Sequence, residues 1–151
     1  VAEAPPPAPP IALTRAALSV DALVAHVAAP EHGATVTFTG TTRREAEGHE
    51  VVALEYEAYE PMALREMEAI AQEAGRRYGA RVALAHRLGR VAVGEASVAI
   101  AAAAGHRAEA FAACRHAIDE VKRRVPIWKQ SVHADGARVW QDGMPPVTTT
   151  S

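Results

Sequence analysis

Five cations in this sequence stand where they could act on an anion. Gly105, His106 and Arg107 open the last helix that the residue spacing predicts. A helix N-terminus offers free N–H donors and a partial positive charge, and an Arg fork fits phosphate oxygens two at a time. Cations at that end oppose the helix dipole, so the pair is either functional or a solvated surface feature. Lys122 and Lys129 bracket the helix end marked by Pro126. Two such lysines can converge on one anionic substrate, one as acid or base and one as an electrostatic clamp. A free lysine has a pKa of about 10.4, so a basic lysine needs cationic neighbours or burial. The alternative is two solvated lysines at the end of a helix that favours positive charge. Arg43 follows a strand through Gly40, Thr41 and Thr42. A loop after a strand commonly carries binding residues, and its hydroxyls and N–H groups can hold a phosphate, but a plain charged loop reads the same way.

Other chemistries find less support. Cys114 is the one cysteine, so no intrachain disulfide can form. It falls on a core position of the last helix and reads as a small buried hydrophobe, not as a nucleophile. The seven histidines show no metal-ligand pattern. His86 in a strand and His116 on a helix read as structural or solvated. There is no Gly-rich phosphate loop ending in Lys-Ser/Thr and no dinucleotide fingerprint, so ATP- and NAD-driven chemistry are not expected. A net charge of -2 argues against general nucleic-acid binding and against a polybasic membrane patch. No basic start followed by an apolar run resembles a secretory signal. The run Val98 to Ala104 is too short to span a bilayer and reads as a buried strand. A soluble cytoplasmic protein is expected.

The elements that must position these residues follow from periodicity. A chain of 151 residues, about half of them hydrophobic, suits one compact domain. Residues 1–12 are expected to form a disordered Ala/Pro-rich tail, 13–141 the domain, and 142–151 a flexible C-terminal tail. Ser19 reads as the N-cap of a helix bearing Val20, Leu23, Val24 and Val27. Residues 34–40 alternate as a half-buried strand with Val36 and Phe38 on one face. Residues 41–50 read as an exposed, mobile loop, and 51–59 as a second strand. Pro61 starts a helix whose stripe is Met62, Met67, Ile70, Ala71, Ala74 and Tyr78, and Gly79 ends it. Strands at 81–88, 91–93 and 95–103 are separated by Gly89 and Gly94. The last helix carries Phe111, Cys114, Ile118, Val121 and Val125 at helical spacing. A hairpin around Asp135 and Gly136 closes the chain. The class is α+β.

Several stretches, taken in order, carry a family resemblance. They are VTFTGTTR at 36–43, LEYEAYEPMA at 54–63, HRLGRVAVGE at 86–95, GHRAEAFAACRHAIDEVKRRVPIWK at 105–129, and an Asp-Gly pair followed by Trp140. Over roughly 19–140 the chain resembles the large, catalytic subunits of molybdopterin synthase. The resemblance implies an α/β hammerhead-like fold with an additional antiparallel β subdomain. It implies a homodimer within a heterotetramer, with a small ubiquitin-like sulfur-carrier subunit as partner. The carrier holds sulfur as a thiocarboxylate on its C-terminal glycine, so no further cofactor is implied. The substrate implied is cyclic pyranopterin monophosphate, and two sulfur transfers through a hemisulfurated intermediate make the molybdopterin dithiolene.

By the same resemblance the family's functional residues fall on Thr41, Thr42, Arg43, His106, Arg107, Lys122 and Lys129. Arg43, His106 and Arg107 would bind the phosphate and pterin. Lys122 would meet the carrier's tail, and Lys129 would stabilise charge or move protons as the cyclic phosphate opens. Gln130 and Ser131, also placed at the substrate, stand where the family usually has a basic residue and Glu. That change bears on how Lys129 is oriented. The chain is expected to work with a separate carrier, not as a fusion to it. The competing readings are a non-catalytic module docking a ubiquitin-like tail, including an inactive paralogue, and an anion-binding regulatory domain.

Overall fold

The computed structural model describes residues 10–141. In chain order the elements are β1 (Ile11–Thr14), α1 (Val20–Val27), β2 (Ala34–Thr41), β3 (Glu45–Ala46), β4 (His49–Ala58), α2 (Glu60–Tyr78), β5 (Ala80–Arg87), β6 (Gly89–Ala92), β7 (Ala96–Ala104), α3 (Arg107–Arg124), β8 (Ile127–His133) and β9 (Arg138–Gln141). They build an α+β fold with two sheets. The first has the order β1-β5-β7-β2, with β1 parallel to β5 and the other pairs antiparallel. The second is antiparallel, in the order β3-β4-β8-β9, with β6 also paired to β4.

Alternation along β5 and β7 assigns each face of the first sheet its helices. Val82, Leu84, Val98, Ile100 and Ala102 meet Met67, Ile70 and Ala74 of α2 and Cys114, Ala117 and Val121 of α3. The opposite face offers only alanines: Ala83, Ala85, Ala99, Ala101 and Ala103. Its small side chains leave room for α1 to seat Leu23 and Val27. Local chemistry sets the helix ends. Ser19 Oγ accepts from the Ala22 N–H at 3.2 Å. Pro61 sits in the first turn of α2, and Gly79 closes that helix in the left-handed conformation at φ 61°. α3 ends before Pro126, and Arg124 in its last turn ion-pairs with Glu66 at 3.0 Å and Glu73 at 2.5 Å on α2. The end of α3 that carries Lys122 is thereby fixed to its neighbour.

Four expectations change. Ile11 and Ala12, assigned to the N-terminal tail, belong to β1, which pairs with Leu84 and Ala85. A four-residue strand held by a parallel partner distant in sequence leaves no periodic signal. Residues 41–50 are not a plain loop. Ala46 pairs with His49 across Glu47 and Gly48, both at positive φ (50° and 78°), which makes a tight hairpin turn. Phe111 and Met62 are 62% and 42% exposed, not core. The buried stripe of α3 is Ala110, Ala113, Cys114, Ala117 and Val121, because small residues let the helix lie close to the sheet. Phe38 is also exposed, on edge strand β2. The rest of the expected N-terminal tail, residues 1–9, and the C-terminal one, 142–151, lie outside the described residues.

Ile100 is fully buried between the sheet and the two long helices. Ile100→Ala should cost about 2–5 kcal/mol of stability through lost burial and the cavity left behind. Urea unfolding of wild type and variant measures it, and a loss well below that range would mean that the site collapses to fill the space.

Candidate active site

Two adjoining cavities lie where the sheets meet. One, of about 220 Å³, is lined by Tyr56, His86, Lys122, Trp128, Lys129 and Gln141 among others. The other, of about 120 Å³, is lined by Thr41, Arg43 and Glu45 and shares Tyr56, Lys122, Lys129 and Gln141 with the first. Three cations from three separate elements thus converge. A larger groove of about 760 Å³ runs between α2 and β1 but contains none of them. The smaller cavities hold the concentrated charge that chemistry on an anion requires, so they are the candidate site.

Each cation is placed by backbone structure. Lys122 projects from the last turn of α3. Lys129 lies on β8 directly across from Tyr56 on β4, and its Nζ sits 5.9 Å from the Tyr56 ring centroid, within cation–π range. Arg43 lies just past the end of β2, where the pairing register with β7 shifts between Gly40 and Thr41. A shift of this kind bends a strand and re-aims the side chains beyond it. A Cβ at Gly40 would come within 2.7 Å of Val98 Cγ1, so a larger residue there would force the buried Val98 side chain to shift.

Behind the cations lies a chain of buried polar groups. Tyr56 Oη donates to Ser97 Oγ at 3.1 Å, and Ser97 Oγ donates to the Gly40 carbonyl at 3.3 Å. His86 packs edge-on to Tyr56 with centroids 5.0 Å apart. Its Nδ1 lies 2.9 Å from the Arg87 carbonyl. Burial pushes the imidazole pKa down to about 4, aided by the charges of Lys122 and Lys129 and opposed by that backbone bond. The site therefore pairs a neutral histidine with its cations near pH 7.

The sequence candidates divide. Thr41, Arg43, Lys122 and Lys129 line the cavities. Thr42 does not: it is buried, with Oγ1 donating to the Val91 carbonyl at 3.3 Å. Ser131 is fully buried. Its Oγ donates to the Val139 carbonyl and accepts from Gln141 Nε2 at 2.7 Å, so it lies behind the cavity lining and not in it. Gln130 lines neither cavity and pairs with Trp140 on β9. His106 and Arg107 stand exposed at the far end of α3. At 1.5 Å of rise per residue that end is about 24 Å from Lys122. Sequence reasoning missed Tyr56, His86, Ser97 and Gln141. Tyr56 and His86 sit on the buried faces of apolar strands, where a polar ring is itself a signal. Nothing in the sequence marks Gln141. Cys114 is buried in the main core, and burial pushes its thiol up to about 11. Among the described residues no group of three or more His, Cys, Asp or Glu could hold a metal, and no helix is long and apolar enough to cross a membrane.

Comparison with known proteins places these features in a family. Residues 13–124 match the family model described as MoaE protein. The chain is 52% identical over 126 residues to a molybdopterin synthase catalytic subunit of Oryza sativa subsp. indica, an alignment covering 83% of this chain and 65% of the rice protein. It is 47% identical over 126 residues to molybdopterin synthase catalytic subunit 1 of Mycobacterium tuberculosis, covering 83% and 86% of the two chains. It thus spans just under two thirds of the rice relative and most of the mycobacterial one. The fold superposes on a crystal structure of molybdopterin synthase from Staphylococcus aureus with a TM-score of 0.83 and 31% identity, covering 87% of this chain and 96% of that one.

The depressed pKa of His86 has a consequence for stability. The unfolded imidazole takes up a proton near its ordinary value of 6.5, whereas the folded one resists until about 4. Its contribution is therefore present above pH 6.5 and is lost as pH falls through that window toward 4. Chemical denaturation between pH 4 and 7 should show stability falling with pH, and His86→Phe should flatten that slope. An unchanged slope in the variant would mean that His86 titrates normally.

Proposed function

The chain belongs to the MoaE family, and from that premise we propose that it is the catalytic subunit of a molybdopterin synthase. In this reading it transfers two sulfurs to cyclic pyranopterin monophosphate to form the molybdopterin dithiolene. The observation that carries it is the convergence of Arg43, Lys122 and Lys129 on one pair of joined cavities. A phosphate-bearing substrate met by an anionic tail calls for such charge, whereas the single negative charge of a tail alone would leave the other cations unmatched. The sulfur comes from a small ubiquitin-like carrier as a C-terminal thiocarboxylate, so this chain needs neither cofactor nor thiol of its own. A buried Cys114 with a raised pKa supports that division of labour. We place the reaction in the cytoplasm.

The roles follow from position. The carrier's thiocarboxylate sulfur is the nucleophile: it bonds to the pterin side chain as a thioester of the carrier, and water then cleaves the acyl–sulfur bond, leaving the sulfur on the pterin and the carrier's tail as a carboxylate. Lys122, shared by both cavities, polarises the thiocarboxylate and balances the charge that develops as sulfur attacks. Lys129, across from Tyr56, stabilises the phosphate oxygen released when the cyclic ester opens. Arg43 holds the phosphate by its planar fork. His106 and Arg107 cannot reach these lysines within one chain, so they serve the site of a second copy in a homodimer, which in turn binds two carriers.

The test is product formation from purified protein, thiocarboxylated carrier and cyclic pyranopterin monophosphate. Wild type and Cys114→Ser should both make molybdopterin, and Lys122→Ala, still folded, should be slower by about 100-fold or more. No product from wild type beside an active carrier would leave a docking module instead. Loss of product in a folded Cys114→Ser variant would move the sulfur donor into this chain. A second assay addresses the shared site. Lys122→Ala and Arg107→Ala proteins, each weak alone, should regain part of the activity when mixed and allowed to exchange subunits. No recovery from verified mixed dimers would place each site within one chain.

A further inference from the structure

His86 is a cavity residue that the sulfur-transfer roles above leave unused. It is 4% exposed, yet it lines the 220 Å³ cavity beside Lys122 and Lys129. A backbone carbonyl can only accept, so the 2.9 Å contact with the Arg87 oxygen puts the ring proton on Nδ1. With the ring neutral, Nε2 keeps its lone pair. That atom makes no hydrogen bond to any described residue. It is also not sealed away: among the described residues, the buried polar atoms that lack both partner and solvent are His26 Nδ1, Arg87 Nε, Glu109 Oε2 and His116 Nε2. It therefore opens to the cavity.

Most of the other polar groups around this cavity are donors or already engaged. Lys122 and Lys129 bring ammonium groups, Trp128 Nε1–H donates to Glu57, and Tyr56 Oη donates to Ser97. Gln141 donates through Nε2 to Ser131, and its Oε1 is a second acceptor in the lining beside His86. A bare oxyanion needs donors only. An acceptor set among them suits a ligand that also presents N–H groups, as a pterin ring does.

We propose that His86 is a substrate-binding residue of this site, whose Nε2 accepts a hydrogen bond from an N–H of the pterin ring and so sets how the ring faces Lys122 and Lys129. This rests on the assignment of a pterin phosphate as the substrate.

Nitrogen NMR of the histidine-labelled protein reads the atom directly. The free protein should show the Nδ1–H form of His86 at pH 7. Cyclic pyranopterin monophosphate should shift Nε2 toward a hydrogen-bonded value, and inorganic phosphate should not. An Nε2–H form, no binding of the pterin, or an equal shift with phosphate would each overturn the proposal. Two variants separate binding from packing. His86→Phe keeps the ring against Tyr56 and loses the acceptor, whereas His86→Gln loses the ring and keeps an acceptor. Pterin affinity by calorimetry should fall about 10-fold or more in His86→Phe and stay near wild type in His86→Gln. The reverse order would make His86 a packing residue. Turnover with a thiocarboxylated carrier is followed on the same samples. Binding with the Nε2 shift but no turnover supports the role of His86 and overturns the sulfur-transfer reading alone.

Discussion

The hydrogen bond from Tyr56 to Ser97 joins the two sheets at the point where the cations gather. Tyr56 belongs to β4 of one sheet and Ser97 to β7 of the other, and Ser97 passes the contact on to the Gly40 carbonyl on β2. A buried hydroxyl without a partner costs about 1–3 kcal/mol, so this chain of donors and acceptors specifies one way for the sheets to meet. Everything at the site is referred to that seam. Lys129 on β8 lies directly across from Tyr56, His86 packs on its ring, and Arg43 leaves β2 just beyond Gly40.

The second constraint is electrostatic. Arg43, Lys122 and Lys129 repel one another, and an additional positive charge in the same cavities would compound the cost. Burial keeps His86 neutral, so the site has an imidazole without its charge. Glu45 brings a carboxylate to the smaller cavity. Ser131 and Gln141 form a neutral hydrogen-bonded pair beside Lys129. The wall beside Lys129 is thus held by an amide-to-hydroxyl bond, with no ion pair between these two residues.

α3 acts as a ruler. Its alanine stripe seats it closely on the sheet, Arg124 pins its last turn to α2, and its length keeps Arg107 far from Lys122 of the same chain. One helix therefore presents basic residues at both ends, about 24 Å apart by its rise of 1.5 Å per residue.

Local rules were enough for much of this fold. The Ser19 cap, Pro61 and Gly79 at the ends of α2, the stop at Pro126, the alternation of β5 and β7 and the turn at Gly136 act over a few residues, so the linear pattern carries them. Ordered motifs likewise singled out Arg43, Lys122 and Lys129. Tertiary structure decided the rest, because the deciding contacts join residues far apart in sequence. β1 exists through its parallel partner, and Phe111 is exposed because alanines pack better against the sheet. Thr42 and Ser131 turn away from the cavities because distant carbonyls take their hydroxyls. Tyr56, His86 and Gln141 become cavity walls only when five strands and a helix close around them. Residue types and spacing name the chemistry available to this chain, but which groups share a cavity, and in which protonation state, depends on burial and distance in three dimensions.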